Sequence, residues 1–369
     1  MNNVRPANRL LDILGIDKPI IQAPMAGVST PALAAAVSNA GALGSLGLGA
    51  MNADGARNTI DATRALTDRP FNVNVFCHAP AQANPQIEQQ WLAWLKPHFA
   101  RHGATPPGRL REIYTSFVVD DAMQQALLDA RPAVVSFHFG LPSADVIDAY
   151  RRAGIKLLAS ATSVDEVRRV AAAGVDAVVV QGFEAGGHRG IFDTAARDDQ
   201  LGTFALTRLA VSSTDVPVIA AGGIMDGAGI VAALALGAQA AQLGTAFVCC
   251  PETAIDDGYR RALLGPDAAH TTLTRAISGR PARSLVNAFT ALGEASGCPA
   301  VPDYPTAYDA GKALHTAAKA GGEWGYGAQW AGQAARLSRA LPAAELVAAL
   351  DAEMRRAVGS LTAHLSARS

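Results

Sequence analysis

Gly174-Val-Asp-Ala177-Val-Val-Val-Gln181 and Gly237-Ala-Gln-Ala240-Ala-Gln-Leu243 share one form: a helix stops at glycine, the chain turns, and a buried strand begins at alanine. Such units belong to chains in which helices alternate with parallel strands, since a strand covered on both faces reads as a nearly continuous apolar run. Outward from this pair, apolar runs bounded by Gly or Pro fall at 19–26, 42–48, 71–76, 133–139, 156–160, 177–181, 217–221 and 240–248. Helical patterns separate most of them. Ser163 opens one helix, with Glu166 placed to complete a capping box and Gly174 to close it, and Asp226 and Gly237 bracket another. Eight such strands predict an α/β fold, the (β/α)8 TIM barrel.

Composition agrees and narrows the function. Of 369 residues half are apolar but only 6% aromatic, which suits short strands and Ala-rich helices. The formal charge of -1, without blocks of like charge, offers no surface for neutralising nucleic-acid phosphates. The polar opening, 1–17, lacks the apolar core of a signal peptide, and no apolar run reaches the roughly 18 residues of a membrane span. These features predict a cytoplasmic protein that inserts in no membrane. Cys77, Cys249, Cys250 and Cys298 show neither CxxC spacing nor nearby His ligands, so they read as reduced thiols and no metal site is expected.

Two segments interrupt the barrel rhythm. Residues 79–111, rich in Gln, Asn and Pro around Trp91 and Trp94, are too long for an ordinary connection and predict an insertion after strand three with its own helix. Residues 251–338 exceed what one closing helix requires. The expected organisation is a barrel over 1–250, a lid subdomain over 251–328, and closing helices over 329–369.

In such barrels the site lies at the C-terminal ends of the strands, with phosphate commonly bound after strands seven and eight. Strand seven ends Ala220-Ala-Gly222-Gly223-Ile224, and strand eight holds Gln242-Leu243-Gly244-Thr245-Ala246. Free peptide NH groups there would hold a phosphate without Lys or Arg. Gly227-Ala-Gly-Ile-Val-Ala232 fits a dinucleotide fingerprint, but 239–250 contains no acidic residue for a ribose. The loop Gln181-Gly-Phe-Glu-Ala-Gly186-Gly187-His188-Arg-Gly190 leaves strand six with four glycines and one imidazole. The glycines would let main chain pass against a flat ring system, and His188 would transfer protons with a pKa suited to neutral pH. Asn74, a polar residue within strand three, would face a bound ring such as a flavin's pyrimidine edge, or be satisfied by neighbouring main chain.

With these residues placed, the chain resembles the nitronate monooxygenase family, class I, formerly called 2-nitropropane dioxygenases. The likeness runs over nearly the whole chain. It rests on Gln22-Ala-Pro-Met25-Ala-Gly27, Ser136-Phe-His138-Phe-Gly140, the Gln181–His188 loop, the two phosphate loops, Ser278-Gly-Arg-Pro-Ala-Arg283 and Trp330-Ala-Gly-Gln333. The resemblance implies FMN as cofactor, held by Met25, Asn74, Gln181, Gly186, Gly187, Gly222, Gly223, Gln242, Leu243, Gly244 and Thr245, with His188 catalytic. It also implies substrate contacts from Tyr114, His138, Tyr304, Tyr308 and Lys312. Pro305 at the first helical position would make Tyr304 the cap and put Tyr308 and Lys312 on one helix face, although the tyrosines also suit lid packing and Lys312 suits solvent. The implied reaction oxidises an alkyl nitronate, propionate 3-nitronate first among them, with O2 to a carbonyl product and nitrite or nitrate. Lys312, the tyrosine hydroxyls and a protonated His188 would steady the nitro oxygens. The alternative on the same barrel is an FMN-dependent, NAD(P)H-using reductase of the enoyl-thioester type.

Overall fold

The computed structural model describes residues 8–366; residues 1–7 and 367–369, and with them part of the polar opening stretch, lie outside the described residues. Its centre is a set of eight parallel strands, β1 (Ile20–Gln22), β2 (Gly44–Gly47), β3 (Phe71–Phe76), β4 (Val134–His138), β5 (Lys156–Ala161), β6 (Ala177–Gln181), β7 (Val218–Ala221) and β8 (Ala240–Leu243). From β2 to β8 each strand pairs with the next, and β8 pairs with β1. Closure between β1 and β2 runs through Leu43, whose N–H donates to Ile20 O at 3.0 Å and whose carbonyl accepts from Gln22 N at 2.9 Å. The fold is therefore the expected barrel.

The packing explains why the strands read as continuous apolar runs. Along β6, Ala177 and Val179 point into the barrel beside Ile21, Leu158 and Ile219, while Val178 and Val180 point into the layer under the helices. Both faces are buried, so alternation vanishes from the sequence. Leu10, Leu14 and Ile16, from and just after helix Arg9–Leu14, plug the end of the barrel away from the site.

Three local readings need correction. The strand expected over 240–248 stops at Leu243, because Gly244 turns into the right-handed region (φ -101°, ψ -73°) and Thr245–Val248 forms a helical turn. Ser163 caps its helix, accepting from Glu166 N at 3.2 Å, but the Glu166 carboxylate accepts from Thr162 N and Phe192 N instead of completing the box. Helix Thr306–Ala320 has Pro305 itself at the cap, since its first turn begins with Thr306 N donating to Asp303 O.

Gly227 shows why the fingerprint-like stretch is not a nucleotide loop. A Cβ there would lie 2.3 Å from Met354 N, and its own N–H donates to Glu353 Oε2 at 2.9 Å. The glycine lets helix Gly227–Ala235 meet the last helix, Ala343–Ser366, which buries Leu346, Val347 and Leu350 against Leu33, Val37 and Ile230.

Within 79–111 a helix does form, Pro85–Arg101, and its Trp91, Leu95 and Phe99 pack with Ile277, Phe289 and Leu314 from the segment beyond β8. That segment contributes two antiparallel strands, Thr271–Thr274 and Ala282–Leu285. The second also pairs with the two-residue strand Gly187–His188, tying the lid directly to the loop after β6. Among the described residues no helix is long and apolar enough to cross a membrane.

Candidate active site

A cavity of about 410 Å3 opens at the C-terminal ends of the strands. Met25, Asn74, Gln181, Gly186, Gly187, Gly222, Gly223, Gln242, Gly244 and Thr245 line it, as do His188, Tyr114, His138, Tyr304, Tyr308 and Lys312. Leu243 does not. It alternates with Gln242 along β8, so its side chain packs outside the barrel with Ile20, Ile230 and Phe247.

On one side of the cavity the main chain is left unpaired. The N–H groups of Gly222, Gly223, Gly244 and Thr245 have no protein acceptor among the described residues. Gly222 (φ +117°) and Gly223 (φ +70°) both sit in left-handed backbone, and a Cβ on Gly222 would lie 2.8 Å from Thr203 Oγ1. Among the described residues, Lys312 is the only Lys or Arg lining the cavity. Amides without a protein acceptor at a cavity wall are donors left for water or a ligand.

Two amide side chains that looked alike in sequence do different work. Asn74 donates through Nδ2 to Ser136 O and Oγ at 3.0 and 2.9 Å, and its Oδ1 has no partner among the described residues. Gln181 spends both ends on its own loop: Nε2 donates to His188 O at 2.9 Å, and Oε1 accepts from Gly190 N at 2.7 Å. Gly186 is likewise set by protein rather than by a flat ring, because a Cβ there would lie 2.5 Å from Gly332 N.

His188 is held from two directions. Its Nε2 lies 2.8 Å from Ser278 Oγ, and its ring packs on Trp330 and Tyr304 at centroid distances of 5.0 and 5.3 Å. Burial, followed by His138, Arg280 and His78 nearby, holds its pKa down to about 3. The expectation of a pKa near neutrality, and of an imidazolium steadying the nitro oxygens, is not what this burial favours: it keeps the ring neutral. His138 and His78, buried beside the same guanidinium, are each held at about 4.

Beside His188, helix Thr306–Ala320 with Tyr304 just ahead of it, and Tyr114 just beyond the insertion, bring three phenols and an ammonium together. The Tyr114 ring lies 6.0 Å from that of Tyr308 and 6.3 Å from that of Tyr304, and Lys312 Nζ sits 4.9 and 5.2 Å from the rings of Tyr114 and Tyr308. Burial raises all three phenols, Tyr308 to about 12, so they remain hydrogen-bond donors. Burial also lowers Lys312, which pairs with no carboxylate among the described residues, and the Tyr304 hydroxyl has no partner.

Ser278, Trp330, Tyr259 and Ser160 escaped individual assignment from sequence. Tyr259 donates to Trp330 O, which places the Trp330 ring against His188, and Ser160 lies 2.7 Å from His138 Nδ1. Only the Ser278 and Trp330 stretches gave a signal, as motif members, since nothing local announces a partner 90 residues away.

A buried imidazole, a cluster of phenols with one ammonium, and a row of amides without protein acceptors meet at one barrel mouth, where the sites of barrel enzymes lie. Comparison with known proteins agrees. Residues 7–353 match the nitronate monooxygenase family. The nitronate monooxygenase of Paraburkholderia phytofirmans is 70% identical over 95% of this chain and 96% of its own, and that of Pseudomonas aeruginosa is 56% identical over 94% and 99%. Among solved structures, nitroalkane oxidase from Streptomyces ansochromogenes superposes with a TM-score of 0.87 at 44% identity, covering 96% of this chain and 99% of that one. FabK from Thermotoga maritima gives 0.74 at 30% identity over 96% and 98%. The chain belongs to the nitronate monooxygenase family and is an oxidoreductase.

Proposed function

We propose that this protein binds FMN at the barrel mouth and oxidises alkyl nitronates with O2 to carbonyl products and nitrite or nitrate, propionate 3-nitronate being the first substrate to try. The observation that carries the reading is the set of acceptor-free N–H groups on Gly222, Gly223, Gly244 and Thr245, which suits a phosphate dianion, since among the described residues the one cation lining the cavity, Lys312, sits with the phenols of Tyr114 and Tyr308. Asn74 Oδ1 and the Gln242 amide, both on the cavity wall, suit the hydrogen-bonding edge of an isoalloxazine. When bound, FMN supplies the electron acceptor and the route by which electrons reach O2.

The chain supplies the rest. Lys312 and the hydroxyls of Tyr304 and Tyr308 hold the anionic nitronate, in a pocket where burial strengthens each contact. For a neutral nitroalkane, His188 first takes the proton from carbon at Nδ1, the ring nitrogen not engaged by Ser278. Nitronates arrive without that proton.

Oxygen consumption on adding propionate 3-nitronate to FMN-loaded protein, with nitrite or nitrate formed, is the expected result. Anaerobic bleaching of the flavin by NADPH, with no response to the nitronate, would instead identify the reductase.

A further inference from the structure

We infer that His138 is a positioning residue rather than a substrate ligand: it clamps the main chain of His188 and so fixes where that imidazole takes its proton. The inference rests on the proposed role of His188 as proton acceptor. His138 lines the cavity, yet both its nitrogens are taken by protein: Nε2 lies 3.3 Å from His188 O and Nδ1 lies 2.7 Å from Ser160 Oγ. A carbonyl oxygen only accepts, so Nε2 carries the ring proton, Nδ1 is the acceptor, and Ser160 donates to it. Neither nitrogen is left for a substrate.

The carbonyl being held is that of His188 itself. It accepts from His138 Nε2 and from Gln181 Nε2, and the other end of the Gln181 amide accepts from Gly190 N. Side chains from β4, β5 and β6 thus converge on the residues around the imidazole. Nothing larger than glycine fits behind the clamp: a Cβ on Gly190 would lie 2.8 Å from His138 Cε1. On its far side the His138 ring packs on Phe139 at 4.4 Å, and Phe139 meets His188 edge-on at 5.7 Å. Ser278 steadies the His188 ring from the lid, and His138 steadies its backbone from the barrel.

The test compares a neutral nitroalkane, nitroethane, with its preformed nitronate in FMN-loaded enzyme. His188→Asn comes first and sets the ratio expected when proton abstraction alone is lost. If that ratio does not change, the base assignment of His188 fails, whatever His138 does. His138→Phe fills the space and removes the donor: kcat/KM for nitroethane should fall about tenfold or more while that for the nitronate stays within about threefold. His138→Gln, whose amide N–H can occupy the place of Nε2–H, should recover most of the loss. Equal losses for both substrates, or a rise in KM for the nitronate alone, would overturn the inference, the second result making His138 a substrate ligand. Crystals of His138→Phe give a readout free of turnover. The His188 ring should have left Ser278 or lost its order; an unmoved, ordered ring would overturn the clamp. Should the Phe variant not fold, Ser160→Ala and His138→Gln carry the comparison, with a partial shift of the substrate ratio expected for the first and little for the second, and the reverse pattern contradicting the clamp.

Discussion

Ser278 Oγ lies 2.8 Å from His188 Nε2 and 3.3 Å from the carbonyl oxygen of Arg280. With the hydroxyl donating to that carbonyl, Oγ accepts from the imidazole, an arrangement that assigns the proton to Nε2 and the lone pair to Nδ1. Ser278→Ala removes this choice without removing the ring. Nitroalkane turnover should drop about tenfold, the worth of roughly one hydrogen bond, with nitronate turnover little changed. Steady-state kinetics with both substrates check it, and equal losses would contradict tautomer control.

Replacing His188 by Asn should separate the substrates more sharply. General-base catalysis contributes about 10^2- to 10^4-fold, so a loss in that range is expected for nitroethane and a far smaller one for its nitronate. A common factor for both would show that the residue does something other than remove a proton.

The three buried imidazoles predict an acid-sensitive fold. His78, His138 and His188 are held at about 4, about 4 and about 3, against 6.5 when unfolded. The unfolded chain therefore binds more protons between those values, so stability present above pH 6.5 is lost as pH falls towards the folded values, by up to about 1.4 kcal/mol per pH unit for each group. Urea midpoints should decline steadily from pH 7 to 5, and His78→Phe should make the decline shallower. A midpoint independent of pH over that range would show the rings charge at no cost.

Gly227→Ala tests the reading of the fingerprint-like stretch. The added Cβ meets Met354 N at 2.3 Å, so the last helix must shift, at a cost of about 2 kcal/mol or more. Thermal unfolding should occur several degrees lower while flavin affinity is unchanged. Loss of nicotinamide-nucleotide binding without loss of stability would contradict the packing role.

How much of this was legible in the sequence follows from the range of the interactions. The barrel was, because burial on both faces of 177–181 and its counterparts leaves apolar runs that need no knowledge of distant residues. Strand ends were less so: Gly244 reads as a continuation of β8 until its dihedrals show the turn. Asn74 could be placed by alternation alone, but that Gln181 and Gly186 serve their own loop depends on Gly190 and Gly332, which no local pattern connects to them. The helix face of Tyr308 and Lys312 was readable from spacing, whereas the neutrality of His188 required knowing that it is buried, with His138, Arg280 and His78 nearby.

The amides of Gly222, Gly223, Gly244 and Thr245, all residues of the cavity wall, have no acceptors among the described residues, and the proposed function rests on their being a phosphate site. Titrating flavin-stripped protein with FMN and with riboflavin measures that claim directly. The phosphate's charge-assisted bonds should be worth about 3 kcal/mol or more, so FMN should bind at least about a hundredfold more tightly, and Gly222→Ala should erase most of the difference. Equal affinity for the two flavins, or none for either in folded protein, would contradict it.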